Sequence, residues 1–130
     1  MSVWHGDRYK KKPSGGRQKA YRKKRKFEQG SFPTETVLGE PKRKVERRRG
    51  GTLKVRVLRG KFACISDPKS GRTERLEIKR VIRNPATVDY DRRGVISKGA
   101  IIETPKGLAK VTSRPGQDGT INAILTSEDT

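Results

Sequence analysis

The sequence has little of the material from which active sites, disulfides and metal sites are built. Its 130 residues include one cysteine, Cys64, and one histidine, His5. A lone cysteine cannot form a disulfide within the chain, and one Cys with one His cannot complete a four-ligand structural zinc site. The same scarcity leaves few pairs of nucleophile and general base. We therefore expect no enzymatic activity, no cofactor, no bound metal and no small-molecule substrate.

Apolar residues are also scarce, at 29% of the chain against 36% charged residues. No apolar run approaches the roughly 18–20 residues that span a bilayer, and the basic stretches lack the apolar face of an interfacial helix. No hydrophobic segment of a secretory signal follows the N-terminal Met. We expect a cytoplasmic protein without a membrane partner. In this reducing setting Cys64 is expected to be a small buried hydrophobe.

The acidic residues of the second half lie among turn-forming residues. Asp67, Asp89, Asp91 and Asp118 stand near Gly, Pro or Asn. Aspartate at such positions commonly accepts hydrogen bonds from nearby backbone amides. We interpret these four as turn formers and not as catalytic acids.

Positive charge is what the sequence has in excess. The net charge is +19 and the sequence pI is about 10.7. Residues 1–50 hold 17 Lys and Arg against 5 Asp and Glu, and residues 51–130 hold 16 against 9. A field of this sign and size indicates a polyanionic partner.

The densest charge lies in residues 8–26, where 11 of 19 residues are Lys or Arg and none is acidic. Trp4, Tyr9, Tyr21 and Phe27 stand in or beside this run, and Trp4 could be either a core residue or a stacking surface. Residues 12–16 read as a flexible turn, whereas residues 17–27 favour a short helix only once phosphates neutralise their charge. A second basic cluster spans residues 42–51. The alternative interpretation is a solubilising tail that binds nothing.

From residue 52 onward the pattern becomes that of short strands. Alternating apolar residues and turn signals predict strands at residues 53–57, 61–66, 75–82, from 95, at 100–104, 108–112 and 120–125. Residues 105–107 predict a tight hairpin turn, and residues 84–94 and 113–119 longer loops. Lys54 and Arg56 are expected on a basic face of the first strand. The fold class predicted is mainly β, a small antiparallel β-barrel of about six strands with an extended basic N-terminal arm.

RNA is the polyanion that this composition fits best. Lys and Arg neutralise phosphates and release counterions. Glycine pairs and interleaved aromatics suit the unstacked bases and close backbone approaches of irregular RNA. Duplex DNA would more naturally require a recognition helix or a β-ribbon, and neither is evident.

Seven segments of the sequence resemble the small-subunit ribosomal protein family "S-eight-e". They are WHG at residues 4–6, KPSGG at 12–16, KKRKFEQG at 23–30, RRRGG at 47–51, NPA at 84–86, GAIIET at 99–104 and VTSRPGQDG at 111–119. The chain's length is similar to that of the archaeal form. One departure is the segment VDYD at residues 88–91, which places two carboxylates where the family tends to be basic.

The resemblance implies a non-enzymatic structural constituent of the small ribosomal subunit, with a small β-barrel body and a basic N-terminal region in contact with ribosomal RNA. Neighbouring small-subunit ribosomal proteins would be further partners. The alternative is a ribosome-assembly factor of the same family. The domain organisation predicted is an RNA-binding arm at residues 1–50, a barrel body at 51–126 and an acidic tail at 127–130.

The predicted RNA-binding residues combine the positions that match the family with the other basic residues of the arm and of the strand faces. They are Trp4, Gly6, Arg8, Lys10, Lys11, Lys12, Gly15, Gly16, Arg17, Lys19, Tyr21, Arg22, Lys23, Lys24, Arg25, Lys26, Lys42, Arg43, Lys44, Arg47, Arg48, Arg49, Gly50, Gly51, Lys54, Arg56, Arg92, Arg93, Lys98 and Arg114.

Overall fold

A computed structural model of the chain describes residues 3–5, 11–19 and 22–126. The chain forms two compact units, Met1–Pro33 and Thr34–Thr130. Strands dominate the described residues, which confirms the predicted mainly β class. The acidic tail predicted at residues 127–130 lies outside the described residues.

The described residues of the first unit contain little regular structure. Strand β1 (Val3–Trp4) pairs antiparallel with β2 (Gln29–Gly30), and one 3-10 turn (Lys26–Glu28) precedes β2. Between them an isolated antiparallel bridge joins Lys11 to Arg17 and closes a tight turn. The second unit begins at Thr34. The reason is that residues 36–47 contribute two strands to a sheet of the second unit.

The second unit contains a sheet of four strands, β3 (Thr36–Leu38), β4 (Lys42–Arg47), β5 (Leu53–Gly60) and β9 (Val95–Ile96). Their order across the sheet is β4–β5–β3–β9. The pairs β4–β5 and β3–β9 are antiparallel, whereas β3 and β5 run parallel. Strand β4 is therefore an edge strand, paired on one side only.

The other sheet of this unit has six strands and curls into half a barrel. Its order is β7–β6–β12–β11–β10–β8, formed by β6 (Phe62–Ser66), β7 (Thr73–Glu77), β8 (Arg80–Arg83), β10 (Ile101–Thr104), β11 (Gly107–Val111) and β12 (Asn122–Leu125). Every pair is antiparallel except β12–β6. The predicted hairpin at residues 105–107 is confirmed, because Pro105 and Lys106 form the turn between β10 and β11.

Alternation along the strands builds one hydrophobic core in the second unit. Val57 and Ile96 come from the four-stranded sheet, and most of the remaining core side chains come from the six-stranded sheet. Ile102 and Ala109, which face each other in the β10–β11 pair, are fully buried. Burial of this apolar surface is the main force that holds the two sheets together.

Two short helices occupy segments that the sequence predicted as loops. Helix α1 (Val88–Arg92) begins where the Thr87 hydroxyl accepts a hydrogen bond from the Tyr90 amide at 3.1 Å. Helix α2 (Pro115–Asp118) has Pro115 in its first turn and ends at Gly119. Both are one turn long, which is too short to show an apolar period in the sequence. The loop predictions are wrong at these two segments for that reason.

Two other expectations from the sequence are wrong. The strand predicted at residues 75–82 is two strands, β7 and β8, interrupted at Ile78 and Lys79, where Ile78 turns into the core. Cys64 is exposed, because Ala63 and Ile65 on either side of it point into the core and a strand alternates its faces.

Three of the four aspartates accept a hydrogen bond from a backbone amide, as expected, but only Asp67 does so in a turn, because Asp91 and Asp118 lie in helices α1 and α2. The Asp67 carboxylate accepts hydrogen bonds from the Lys69 amide and the Ser70 hydroxyl, and Asp118 accepts one from the Arg114 amide. Asp91 accepts a hydrogen bond from the Asn84 amide at 2.7 Å. Among the described residues no helix is long and apolar enough to cross a membrane.

Candidate nucleic-acid interface

The β4–β5 hairpin presents a basic edge to solvent. Lys42, Arg43, Lys44 and Arg47 on β4 are all exposed, and β4 lies at the edge of its sheet. Charged side chains on an edge strand also prevent it from pairing with other strands, so this feature alone does not establish binding. Its density of positive charge does make it an electrostatic site for a polyanion.

Glu46 is the one acidic residue in this strand, and it organises the cations around it. Its carboxylate lies 2.9 Å from the Lys44 ammonium, 2.6 Å from the Arg48 guanidinium and 3.2 Å from Arg56 Nε. The hydrogen bond from Lys44 and the charges of Arg56 and Arg48 outweigh desolvation and hold the pKa of Glu46 below its ordinary value. Three cations share this one anion, so the cluster keeps a net positive charge.

The turn at the end of this hairpin exposes its backbone. The Arg48 amide donates to the Thr52 carbonyl at 2.7 Å, and the Gly51 amide donates to the Arg48 carbonyl at 3.2 Å. Gly50 has a φ of 72° and no other atoms within 4 Å of where a Cβ would stand. Only a residue without a Cβ adopts this conformation readily. The turn therefore offers a bare backbone surface at Gly50 and Gly51, between Arg49 and Thr52.

The first unit carries a second turn of the same kind. The Gly15 amide donates to the Lys12 carbonyl, the Lys12 amide donates to the Gly16 carbonyl, and both distances are 2.9 Å. Pro13 presets the first corner, and Gly15, with a φ of 81°, takes the left-handed position that closes the bulged turn. All residues from 11 to 19 are exposed. The residues at 12–16 thus form a defined turn with basic side chains on either side.

Glu28 connects three residues of the first unit, Trp4, Arg22 and Arg25. Its carboxylate accepts hydrogen bonds from the Trp4 indole N–H at 2.8 Å and the Arg25 amide at 3.2 Å, and it pairs with Arg22 at 2.5 Å. Burial disfavours the charged form of Glu28, but these hydrogen bonds and the charge of Arg22 lower its pKa nevertheless. The Lys24 ammonium lies 5.8 Å from the Trp4 ring centre. Trp4 is half-buried by these contacts.

Most predicted RNA-binding residues are exposed in the structure. Besides residues 11–19 and the β4 cations, the exposed residues include Lys23, Lys24, Arg25, Lys26, Arg49, Gly50, Gly51, Arg92, Lys98 and Arg114. Lys54 is half-buried, and its ammonium donates to the Gln117 side chain. Gly6, Arg8, Lys10 and Tyr21 lie outside the described residues. The RNA-binding role of all these positions stays a prediction.

Two predicted positions make their main contacts within the protein. Arg56 is only 7% exposed, and its guanidinium donates to the Thr34 hydroxyl at 3.0 Å and forms an ion pair with Glu46 at 3.2 Å. The expectation of an exposed basic face is wrong at Arg56. Arg93 bridges Glu35 at 2.5 Å and Asp89 at 2.6 Å. These two carboxylates raise the pKa of Arg93 above its ordinary value.

The sequence did not reveal one basic surface on the second unit. Arg59, Arg75 and the exposed ring of Phe62 line a groove that also includes Arg43 and Cys64. Alternation in β6 places Phe62 and Cys64 on the same face, and that signal is present in the sequence. Within residues 3–5, 11–19 and 22–126, no cluster of His, Cys, Asp and Glu is arranged to hold a metal ion.

Comparison with known proteins places this chain among ribosomal proteins. The family model "Ribosomal protein S8e" matches residues 5–126. The chain is 50% identical over 129 residues to the small ribosomal subunit protein eS8 of Sulfurisphaera tokodaii. The alignment covers 98% of this chain and 100% of that protein. It is 48% identical to the eS8 protein of Ignicoccus hospitalis, over 96% of this chain and 97% of that one.

A third relative, the eS8 protein of Methanocorpusculum labreanum, is 46% identical over 95% of this chain and 98% of its own length. The match of the family model extends across both units, from His5 in the first unit through the hairpin and into β12. The basic hairpin, the bare-backbone turns and both sheets therefore lie within the matched region. The chain belongs to the S8e family of ribosomal proteins.

Proposed function

We propose that this protein is a structural constituent of the small ribosomal subunit and that it binds ribosomal RNA through two basic turns. One is the turn at residues 12–16 and the other is the β4–β5 hairpin with its turn at residues 48–52. Membership of a ribosomal protein family confirms the prediction that the chain is not an enzyme. Neighbouring ribosomal proteins would be its other partners, and the cytoplasm its compartment.

The observation that carries the proposal is the combination of exposed cations with uncovered backbone in the β4–β5 hairpin. Arg47 and Arg49 are exposed, and between them and Thr52 the two glycines have φ of 72° and 79°. Phosphates approach closely where no Cβ intervenes, and arginine contacts them with two parallel hydrogen bonds. The hairpin thus combines uncovered backbone with exposed arginine side chains, and both features favour contact with RNA phosphates.

The test is the presence of the native protein on mature ribosomes. We expect one copy per small subunit, retained after a high-salt wash, by quantitative mass spectrometry of sucrose-gradient fractions. Recovery only in fractions lighter than the small subunit would refute the proposal.

The same experiment addresses the alternative, a ribosome-assembly factor. An assembly factor leaves before the particle matures. It would therefore be enriched on precursor particles and substoichiometric on salt-washed mature subunits. One copy on mature subunits would exclude this alternative.

The contribution of the hairpin can be isolated with paired variants. The double variant Lys42→Gln/Arg47→Gln should weaken binding to small-subunit ribosomal RNA. It should also lower the magnitude of the slope of log K against log salt by about 1.4–1.8, or about 0.7–0.9 for each phosphate that the hairpin no longer neutralises. The matched control, Lys79→Gln/Arg83→Gln, removes two exposed cations outside the hairpin. A slope for Lys42→Gln/Arg47→Gln equal to that of the wild type would show that these two cations neutralise no phosphate.

A further inference from the structure

A groove on the second unit combines an aromatic ring with a concentration of positive charge. It has a volume of about 340 Å³ and is lined by residues of β4, β5, β6 and β7 and by Ile121. This volume falls at the lower end of the range for small-molecule and nucleotide-sized sites, about 300–1,000 Å³. The groove therefore has room for one nucleotide and not for a duplex.

Strand register brings the ring and a guanidinium together. Phe62 faces Glu77 and Cys64 faces Arg75 in the β6–β7 pair, so Phe62 and Arg75 are diagonal neighbours on the outer face. The Arg75 guanidinium carbon lies 4.6 Å from the Phe62 ring centre. Phe62 is 37% exposed although it is a large apolar side chain. An arginine stacked on an aromatic ring extends a flat platform on which a base can stack.

The charges around the platform suit a phosphate. Arg43, Arg59 and Arg75 have no ion pair within the part of the chain that the structure describes, whereas the Lys61 ammonium pairs with Glu77 at 3.1 Å. None of the described residues that line the groove is acidic. Arg43 and Arg59 come from β4 and β5 of the four-stranded sheet, whereas Arg75 comes from β7 of the six-stranded sheet. An anion in the groove would thus meet uncompensated guanidinium groups.

We propose that this groove binds a single unstacked nucleotide of RNA, with its base on the Phe62–Arg75 platform and its phosphate at Arg43 and Arg59. The proposal rests on the RNA-binding function proposed above and assigns it a further contact, which shares Arg43 and Arg59 with the β4–β5 hairpin and adds the Phe62–Arg75 platform of the six-stranded sheet. An acidic peptide would match the charge of the groove but would leave the ring of Phe62 unused. The combination of ring and cations favours a nucleotide.

Cys64 provides a reporter for this site in the unmodified full-length chain. It is the only cysteine, it is exposed, and it lines the groove. We would measure the rate of Cys64 alkylation by iodoacetamide, with intact-mass detection, alone and with a saturating oligo(A) decamer. A duplex RNA of the same length and an oligoglutamate peptide are the comparison ligands. We expect the decamer to slow alkylation at least several-fold and the other two to leave the rate unchanged.

Substitutions test the platform directly. Phe62→Leu keeps apolar bulk and removes the ring, and it should weaken binding of the decamer by about 5-fold to 100-fold, the usual effect of losing one stacked base. Arg75→Lys keeps the charge and loses the flat guanidinium, so it should weaken binding in the same direction. The matched control Arg83→Lys is the same change on an exposed arginine of β8 and should leave affinity unaltered.

The possible outcomes distinguish failure of the groove proposal from failure of the RNA-binding function proposed above. Decamer binding without protection of Cys64 would overturn the groove proposal and leave RNA binding through the turns intact. Equal protection by duplex RNA, or protection by oligoglutamate alone, would also overturn it. Failure of the wild-type protein to bind any RNA would refute both proposals. Because the alkylation measurement uses the wild-type chain, a variant that fails to fold does not affect it.

Discussion

Gly119 gives the sharpest test of how the second unit is held together. It ends helix α2 with φ 77° and ψ 7°, and it is buried where α2 packs on β5. A Cβ at this position would stand 3.0 Å from Val55 Cβ and 3.2 Å from the Val55 carbonyl oxygen. Replacement by alanine therefore introduces two separate costs, one in the backbone and one in the packing.

The size of the effect follows from these two costs. The left-handed conformation costs a residue with a Cβ about 1–2 kcal/mol, and crowding in a packed interface costs about 1–3 kcal/mol. We expect Gly119→Ala to lower the free energy of unfolding by about 2–5 kcal/mol. Since about 1 kcal/mol shifts the Tm of a domain of up to 100 residues by about 4–8 °C, the Tm should fall by at least about 8 °C.

Gly71 is the matched control for this experiment. Its φ is 66°, close to that of Gly119, but nothing lies within 4 Å of where its Cβ would stand. Gly71→Ala should therefore show the backbone cost alone, about 1–2 kcal/mol. Urea unfolding followed by far-ultraviolet circular dichroism measures both variants. Equal destabilisation of the two would show that α2 does not press on Val55 and would refute the packing described here.

Three further predictions concern the charged clusters and the first unit. The pKa of Glu46 in the folded protein lies below its ordinary value of about 4.5, so its contribution to stability is present above that pH and is lost as the pH falls through the lowered value. The difference in stability between the wild type and Glu46→Gln should therefore shrink on acidification. A difference that does not depend on pH would contradict the ion-pair cluster. Glu28→Ala should shift the emission of Trp4, the only tryptophan, to longer wavelength, because the indole N–H loses its acceptor and the ring becomes more accessible to water, whereas Glu40→Ala should not. Deletion of residues 1–33 should leave the Tm of the second unit within a few degrees of that of the full-length protein, because its core is drawn from residues 57–123. The deletion should also make RNA binding depend less steeply on salt concentration. An unchanged salt dependence would identify the segment as a tail that binds nothing.

The sequence predicted the strands with alternating apolar residues and missed elements that depend on tertiary contacts. Strands β6, β10, β11 and β12 follow from period-two burial, and the turn at residues 105–106 follows from Pro and Gly. Strand β4 has one exposed valine among charged residues, so hydrophobic periodicity could not reveal it; its pairing with β5 forms it instead. The short helices depend on local caps, at Thr87 and Gly119, and on packing against strands.

The sequence identified those parts of the candidate interface that are marked by a high density of basic residues. The clusters at residues 8–26 and 42–51 are visible in the sequence, and most of their cations that the structure describes are exposed. Arg56 could not be assigned correctly, because its burial depends on Glu46 and Thr34 from other segments. The groove at Phe62 was missed because its three arginines come from three strands, β4, β5 and β7, that only the fold brings together.

Ultraviolet crosslinking of protein to RNA in purified native small subunits tests the central claim most directly. We expect crosslinked peptides from residues 11–19 and 42–52, each carrying nucleotides of the small-subunit ribosomal RNA. A third crosslink at Phe62 would support the groove. Crosslinks confined to β8 and the β10–β11 hairpin, with none at the two basic turns, would contradict the account.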